Sequence, residues 1–114
     1  MKTVARRLTL LATAVLFAGT PATAANVRDP ASPTILLTGS NRGVGLALTT
    51  EFAAQGWNVI ATCRTPKKAT ELKALAAANP RIIIEQLDVT DIRQIQKLAV
   101  RYKGVPIDVL FHNA

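Results

Sequence analysis

The chain has 114 residues, of which 49% are hydrophobic and 18% charged, a composition that suits one small globular domain and excludes a disordered tail. Its net charge of +7 falls to +4 without the N-terminal Lys2, Arg6 and Arg7, and one Trp, one Tyr and three Phe are too few for a nucleic-acid stacking surface. Cys63 is the only cysteine and His112 the only histidine, which excludes an internal disulfide and speaks against a metal site.

Residues 1–24 have the three parts of a secretory signal peptide. A basic start is followed by an apolar centre from Leu8 to Phe17 and by a small-x-small cleavage site ending at Ala24. We therefore expect export to the periplasm or the medium, and Arg6 with Arg7 raises the twin-arginine route. An uncleaved membrane anchor, an organellar transit peptide and a cytoplasmic location stay open as alternatives, although the apolar centre is short for a stable membrane span.

Residues 25–33 contain Pro30 and Pro33 and are typical of a linker, so the folded part is expected at residues 34–114. Short apolar runs then alternate with stretches of helical spacing. Strands are predicted at 34–37, 58–63, 81–89 and 107–113. Helices are predicted at 44–55, ended by Gly56; at 66–78, begun by Thr65-Pro66; and from a Thr90 cap to about Lys103, closed by Gly104.

This βαβαβαβ order predicts an α/β fold, a partial doubly wound parallel sheet of the Rossmann type. In such a sheet the first and fourth strands flank the switch point, where ligands bind. The second half of the fold is expected beyond Ala114, so the chain is interpreted as an N-terminal part cut after its fourth strand.

Three glycines follow the first strand closely. A strand, a glycine-rich turn and a helix start together place free backbone N–H groups and the positive end of a helix dipole at one spot, which suits a phosphate. Gly39 is expected to make the tight turn, Gly43 to let a pyrophosphate approach the main chain, and Gly45 to let the helix pack closely on the sheet.

The pattern T-G-x-x-x-G-x-G from Thr38 to Gly45 resembles that of the short-chain dehydrogenase/reductase family. LDVTD at 87–91 is a second match, and IDVLFHNA at 107–114 is similar to the family's N-N-A-G strand with His112 in place of the first Asn. The stretches GWNVIATCRTP (56–66) and GVPIDVL (104–110) are most similar to the carbonyl-reductase-like branch of the family, which includes C-factor and sniffer-type proteins. The resemblance covers Pro33 to Ala114.

Membership of this family implies hydride transfer between a nicotinamide cofactor and a small carbonyl or alcohol. The resemblance places Asp88 and Val89 at the adenine pocket and Asn113 and Ala114 beside the nicotinamide ribose, although Asp88 is equally compatible with capping the next helix. It assigns the phosphate loop to the residues from the first to the last position of the glycine motif, which are Thr38, Gly39, Ser40, Asn41, Arg42, Gly43, Val44 and Gly45.

The end of the second strand predicts NADP(H) rather than NAD(H). NAD-selective enzymes carry Asp or Glu there for the ribose 2′-hydroxyl, whereas this chain has Thr62, Cys63 and Arg64. A guanidinium can hold a 2′-phosphate through paired, charge-assisted hydrogen bonds, and Arg42 is a second candidate for this contact. Lys67 and Lys68 either add to this field or form a solvated helical turn.

The family's catalytic Ser, Tyr and Lys have no match in these residues. Tyr102 is the only tyrosine and is followed directly by Lys103, while Ser32 falls in the linker and Ser40 in the loop. We therefore expect the cofactor-binding half of an NADP-dependent oxidoreductase, inactive by itself. A non-catalytic NADP-binding module and a gene fragment without function are the alternatives.

Overall fold

The computed structural model describes residues 29–114, so the expected signal peptide at 1–24 and the start of the expected linker lie outside the described residues. The strands are β1 (Thr34–Leu37), β2 (Asn58–Cys63), β3 (Ile82–Gln86) and β4 (Val109–Phe111). The helices are α1 (Gly43–Ala54), α2 (Thr70–Ala78) and α3 (Ile92–Arg101), with a 3₁₀ turn at Pro66–Lys68 before α2.

All strand pairs are parallel and the sheet order is β3-β2-β1-β4. Since β2 and β3 extend the sheet to one side of β1 and β4 lies on its other side, the direction of winding reverses between β1 and β4. The predicted Rossmann-type arrangement, with its switch point at these two strands, is confirmed.

The helices cover both faces of the sheet. Alternate residues of the central strands point to opposite sides, so each face has a core of its own. Ile35 and Leu37 of β1 join Val59 of β2 in a core under α1 and α2. Leu36 and Ile60 point the other way and pack against α3 through Leu98 and Tyr102. The strands β1 and β2 are buried along their whole length, as expected for continuous apolar runs.

Two helix starts differ from the sequence prediction. The helix expected from Thr65-Pro66 is broken, because Ala69 leaves helical geometry (φ −85°, ψ 68°) with its side chain buried in the core, and α2 begins only at Thr70. The N-cap of α3 is Asp91 rather than Thr90. Its carboxylate accepts hydrogen bonds from the N–H groups of Arg93 and Gln94, which satisfies two donors at the helix start.

The last five residues of the expected linker, Asp29 to Pro33, are packed onto the domain. The buried side chain of Asn58 donates to the carbonyls of Asp29 (2.8 Å) and Ser32 (3.2 Å) and accepts from the Asp29 N–H (3.2 Å). Arg81 donates to the Ser32 hydroxyl (3.0 Å) and lies 3.3 Å from the Asp29 carboxylate. The folded part therefore includes residues that the sequence assigns to a linker.

The strand β4 pairs with β1 alone and is the most exposed strand. Leu110 is 67% exposed and Phe111 39% exposed. Within residues 29–114 no helix combines the length and the apolar character that a membrane crossing requires.

Candidate functional site

The carboxyl ends of the four strands open into one crevice, which we call the main crevice, with a volume of about 450 Å³. Its wall contains nine of the residues predicted to bind a cofactor: Gly39, Asn41, Arg42, Gly43, Arg64, Asp88, Val89, Asn113 and Ala114. Cys63, Leu87 and Thr90 also line it and were not predicted, although each is adjacent in sequence to a predicted residue. A larger cavity of about 550 Å³ lies at the opposite ends of the strands, around Pro33 and Pro106.

Gly39 and Gly43 both have backbone angles that favour glycine. Gly39 (φ +64°) turns the chain out of β1, and a Cβ there would lie 3.3 Å from both the Asn113 Nδ2 and the Ala114 Cα. Gly43 (φ +56°) has no atom within 4 Å of the position of a Cβ. The space beside Gly43 is therefore open, as a backbone that receives a phosphate requires.

Gly45 has no room for a side chain. A Cβ at this position would collide with the Gly39 carbonyl oxygen and would lie 2.9 Å from the Asn113 Nδ2. The atoms that exclude a side chain are thus the Gly39 carbonyl, directly after the end of β1, and the Asn113 side chain after β4.

The start of α1 is open to an anion. Its N-cap residue, Arg42, has an extended backbone (φ −166°, ψ 171°) and makes no side-chain capping bond, and no acidic residue occupies the first turn. The amide N–H groups at this end carry the positive end of the helix dipole without a side-chain acceptor. Val44, in the same turn, is 62% exposed.

Two predicted site residues lie behind the crevice wall and hold the loop in place. The Ser40 hydroxyl is fully buried and donates to the Leu37 carbonyl (3.0 Å), while the Ser40 N–H donates to the Thr62 carbonyl (2.9 Å). Thr38 is also buried, and its side chain faces the end of β4. The structure therefore places both hydroxyls in supporting positions.

The end of β4 is fastened to the loop through Thr38. Its Oγ1 accepts hydrogen bonds from the N–H groups of Asn113 (2.8 Å) and Ala114 (3.1 Å) and lies 3.2 Å from the His112 Nδ1. The Asn113 side-chain amide donates in turn to the Gly39 carbonyl (3.2 Å). These bonds fasten the end of β4 to the loop after β1, beside the main crevice.

A smaller, basic crevice of about 220 Å³, the side crevice, adjoins the main one. Its lining residues are Asn41, Arg42, Arg64, Thr65 and Lys68. Three of these are cationic and none is acidic. Lys67 does not line it, so of the two lysines considered in the sequence only Lys68 contributes to this wall.

The carboxylate of Asp88 faces the main crevice from the end of β3. It accepts hydrogen bonds from the Thr90 hydroxyl (2.7 Å) and the Thr90 N–H (2.9 Å), and these bonds lower the pKa of Asp88, with the Arg64 charge adding to the effect. Asp88 therefore shapes the turn before α3, while Asp91 caps the helix itself. The Asp88 side chain therefore stabilises the turn and also lines the main crevice.

Cys63 contributes a buried thiol to the wall of the main crevice. Burial raises its pKa, so the neutral thiol predominates at neutral pH. This side chain acts as a small apolar contact rather than as a nucleophile.

Tyr102 has a structural position. It is 5% exposed, and its hydroxyl donates to the Glu85 Oε2 (2.6 Å). The other carboxylate oxygen of Glu85 forms an ion pair with Arg101 (3.1 Å). Burial, together with the neighbouring Glu85 carboxylate, raises the Tyr102 pKa far above its usual range. The hydroxyl is thus committed to fastening the end of α3 to β3.

The family profile described as short chain dehydrogenase matches residues 33–114. The chain is 36% identical over 86 residues to (-)-isopiperitenone reductase of Mentha piperita, an alignment that covers 69% of this chain and 27% of the relative. It is 33% identical over 87 residues to an NADPH-dependent pterin aldehyde reductase of Arabidopsis thaliana, covering 74% and 36% of the two chains.

A crystal structure of a short-chain dehydrogenase/reductase from Burkholderia multivorans with bound NADP shares the fold at 49% identity and a TM-score of 0.68. The match covers 73% of this chain and 36% of that one. The chain thus spans 27% to 36% of the length of these relatives.

Proposed function

We propose a function on the premise that this chain belongs to the short-chain dehydrogenase/reductase family. In the proposal, residues 29–114 bind NADP(H) in preference to NAD(H), as the cofactor-binding part of an oxidoreductase. The resemblance to the carbonyl-reductase-like branch of the family stays a prediction.

The observation that carries the proposal is the side crevice. Arg42, Arg64 and Lys68 converge there, next to the main crevice and without an acidic neighbour in its wall. A carboxylate at the end of β2 would repel a 2′-phosphate, whereas a guanidinium attracts it and can bind it with two parallel hydrogen bonds. The names of the Arabidopsis relative and of the Burkholderia structure, which mention NADPH and NADP, support the same choice.

The remaining parts of the main crevice suit the rest of the dinucleotide. The open space at Gly43 and the uncapped start of α1 suit the pyrophosphate. Asp88, Val89, Asn113 and Ala114 all line the main crevice, which supports assigning the first two to the adenine and the last two to the nicotinamide ribose. The nicotinamide, when bound, supplies or accepts the hydride, and the residues of this chain hold and orient it.

Replacing Arg64 with Gln tests the proposal. Loss of a charge-assisted hydrogen bond pair costs about 1.5–3 kcal/mol, so we expect NADPH affinity to fall by roughly 10- to 100-fold while NADH affinity changes little. Titration of each cofactor, followed by nicotinamide fluorescence, measures both. Arg93→Gln is the matched control, because it removes the same charge from an exposed position of α3 outside both crevices.

Two results would contradict the proposal. One is an unmutated chain that binds NADH as tightly as NADPH. The other is a fall in NADPH affinity in Arg93→Gln as large as that in Arg64→Gln, because the effect would then come from net charge alone.

We propose that these 114 residues bind the cofactor without turnover. The family's chemistry needs a tyrosine hydroxyl near the nicotinamide, and the only tyrosine, Tyr102, is buried against Glu85. A longer form of the protein is proposed to reduce a small carbonyl or oxidise its alcohol, since the two plant relatives are named as reductases, one of them of an aldehyde. Cofactor oxidation by the 114-residue chain with a panel of aldehydes and ketones would refute the first proposal.

Export is proposed from residues 1–24, with the twin-arginine route as one possible path because it carries folded, cofactor-loaded proteins. A cytoplasmic or membrane-anchored protein is the alternative. Mass spectrometry of the chain purified from its own cells tests this: a first residue at Ala25 supports cleavage, and an intact N-terminus contradicts it.

A further inference from the structure

The hydroxyl of Thr38 has a complete set of partners. Its oxygen accepts the N–H groups of Asn113 (2.8 Å) and Ala114 (3.1 Å), and the His112 Nδ1 lies 3.2 Å away. A hydroxyl offers two acceptor lone pairs and one hydrogen. Since two N–H donors take the lone pairs, the hydrogen is left for the His112 Nδ1.

Counting lone pairs assigns the acceptor role in this contact to the His112 Nδ1, a role that the 3.2 Å distance by itself leaves open. An Nδ1 that accepts a hydrogen bond carries no proton, so the imidazole is neutral with its hydrogen on Nε2. An imidazolium carries hydrogens on both ring nitrogens and cannot accept. Its Nδ1–H would compete with the N–H groups of Asn113 and Ala114 for an oxygen that has no lone pair left.

The contact lies directly behind the main crevice. Asn113 and Ala114 form part of the crevice wall, and the Asn113 side-chain amide holds the Gly39 carbonyl (3.2 Å) in the tightly packed loop. This hydrogen bond connects the end of β4 to the loop, so we expect a shift of the β4 end to move the loop as well. His112 itself is exposed.

We propose that His112 is a pH-dependent positioning residue for dinucleotide binding, which holds the end of β4 against Thr38 when neutral and releases it when protonated. The proposal rests on the proposed function, because it requires that the main crevice binds NADP(H). Histidine is the side chain whose charge ordinarily changes between pH 5 and 8, so the expected effect is weaker cofactor binding in mild acid.

The charged groups around His112 make no hydrogen bond or ion pair with its ring in the part of the chain that the structure describes. When Ala114 is the last residue, its terminal carboxylate is a further acid two positions from His112. Arg42, Arg64 and Asp88 line the main crevice together with Asn113 and Ala114, while Asp108 lies at the opposite end of β4, where its carboxylate accepts from the Thr34 N–H (2.8 Å).

The first test uses nuclear magnetic resonance and needs no cofactor. Long-range ¹H–¹⁵N spectra of the full chain at pH 8 should show the His112 Nδ1 without a proton. On lowering the pH to 5, the amides of Asn113 and Ala114 should lose exchange protection in step with the ring's titration. A protonated Nδ1 in the neutral ring, or amides that keep their protection in acid, would overturn the proposal.

The second test measures the affinity for NADP⁺, which is stable in acid, between pH 5 and 8. Loss of one hydrogen bond predicts a fall of about three- to ten-fold toward acid in the unmutated chain. In His112→Asn this three- to ten-fold part of the loss of affinity should be absent, because an amide oxygen accepts the Thr38 hydrogen at every pH. His112→Ala, which has no acceptor, should bind NADP⁺ at pH 8 about three- to ten-fold more weakly than the unmutated chain does at the same pH.

The His112→Asn chain also controls for the probe, whose 2′-phosphate titrates near pH ~6 in every variant. Equal pH profiles for the unmutated chain and His112→Asn would overturn the proposal. If NADP⁺ binds at no pH, the proposed function fails, and the resonance measurements still decide the His112–Thr38 contact by themselves.

Discussion

At the scale of single residues, Gly43 and Gly56 form a matched pair. Both have positive φ, +56° and +89°, and neither has an atom within 4 Å of a Cβ. Replacing either with Ala adds backbone strain of about 1 kcal/mol, so urea denaturation should show similar losses of stability. Only Gly43 lines the main crevice, and Gly43→Ala alone should weaken NADPH binding, by about ten-fold. Equal affinity in the two variants would contradict a phosphate at Gly43.

Thr62 offers a second test at this scale. Its hydroxyl is fully buried and has no hydrogen-bond partner among the described residues. Thr62→Val keeps the shape and removes an unsatisfied polar group, so we expect a gain of about 1 kcal/mol in the free energy of unfolding. Thr49→Val is the control, because the equally buried Thr49 hydroxyl donates to the Gly45 carbonyl (2.8 Å) and its removal should destabilise the domain. Urea denaturation measures both changes in the free energy of unfolding. A loss of stability in Thr62→Val would contradict the view that the Thr62 hydroxyl is buried without a hydrogen-bond partner among the described residues.

At the scale of elements, the segment from Asp29 to Pro33 predicts a pH dependence. The Ser32 hydroxyl, then the Ala31 N–H, and the Arg81 charge hold the pKa of Asp29 below its ordinary value of 3.8. A lowered pKa in the folded state stabilises the domain above the unfolded pKa, and this stabilisation is lost as the pH falls through the folded value. We expect Asp29→Asn to melt below the unmutated chain at pH 7, with the gap closing below about pH 4. A gap that stays constant from pH 7 to pH 2 in thermal melts would contradict the ionic role.

The elements also show what the sequence can predict. The bounds of β1 and β2 agree with their continuous apolar runs, since a strand buried on both faces admits few polar residues. The cap of α3 could not be chosen from sequence, because Thr90 and Asp91 are both good capping residues and only the hydrogen bonds distinguish them. The break at Ala69 follows from its burial in the core, which is a tertiary contact.

The candidate site was predictable where backbone chemistry decides it. The turn at Gly39 and Gly43 follows from residue types at short spacing, and Arg42 and Arg64 of the side crevice were predicted from their places after the first and second strands. The reason for Gly45 was not predictable, because the Gly39 carbonyl approaches it only in the folded loop. For the same reason the Thr38 hydroxyl was predicted as a cofactor contact and is found fastening the end of β4, 75 positions away.

At the scale of the whole molecule, the sheet order brings distant parts of the chain to one crevice. β1, β2, β3 and β4 each contribute their carboxyl ends, so a dinucleotide would bridge all four strands. The free edge of β4 leaves Leu110 and Phe111 exposed, and the relatives that share this fold are longer chains. Cofactor binding is therefore the activity that the described residues support most completely.

The most direct measurement compares two fragments of the cofactor by isothermal titration calorimetry. Adenosine 2′,5′-bisphosphate carries the 2′-phosphate and AMP lacks it, and neither needs the nicotinamide end of the site. Contact with Arg42, Arg64 and Lys68 predicts that the bisphosphate binds at least ten-fold more tightly, with a preference that weakens as salt is raised. Equal affinity for the two fragments, on a chain whose fold is verified by circular dichroism, would contradict the assignment of NADP(H).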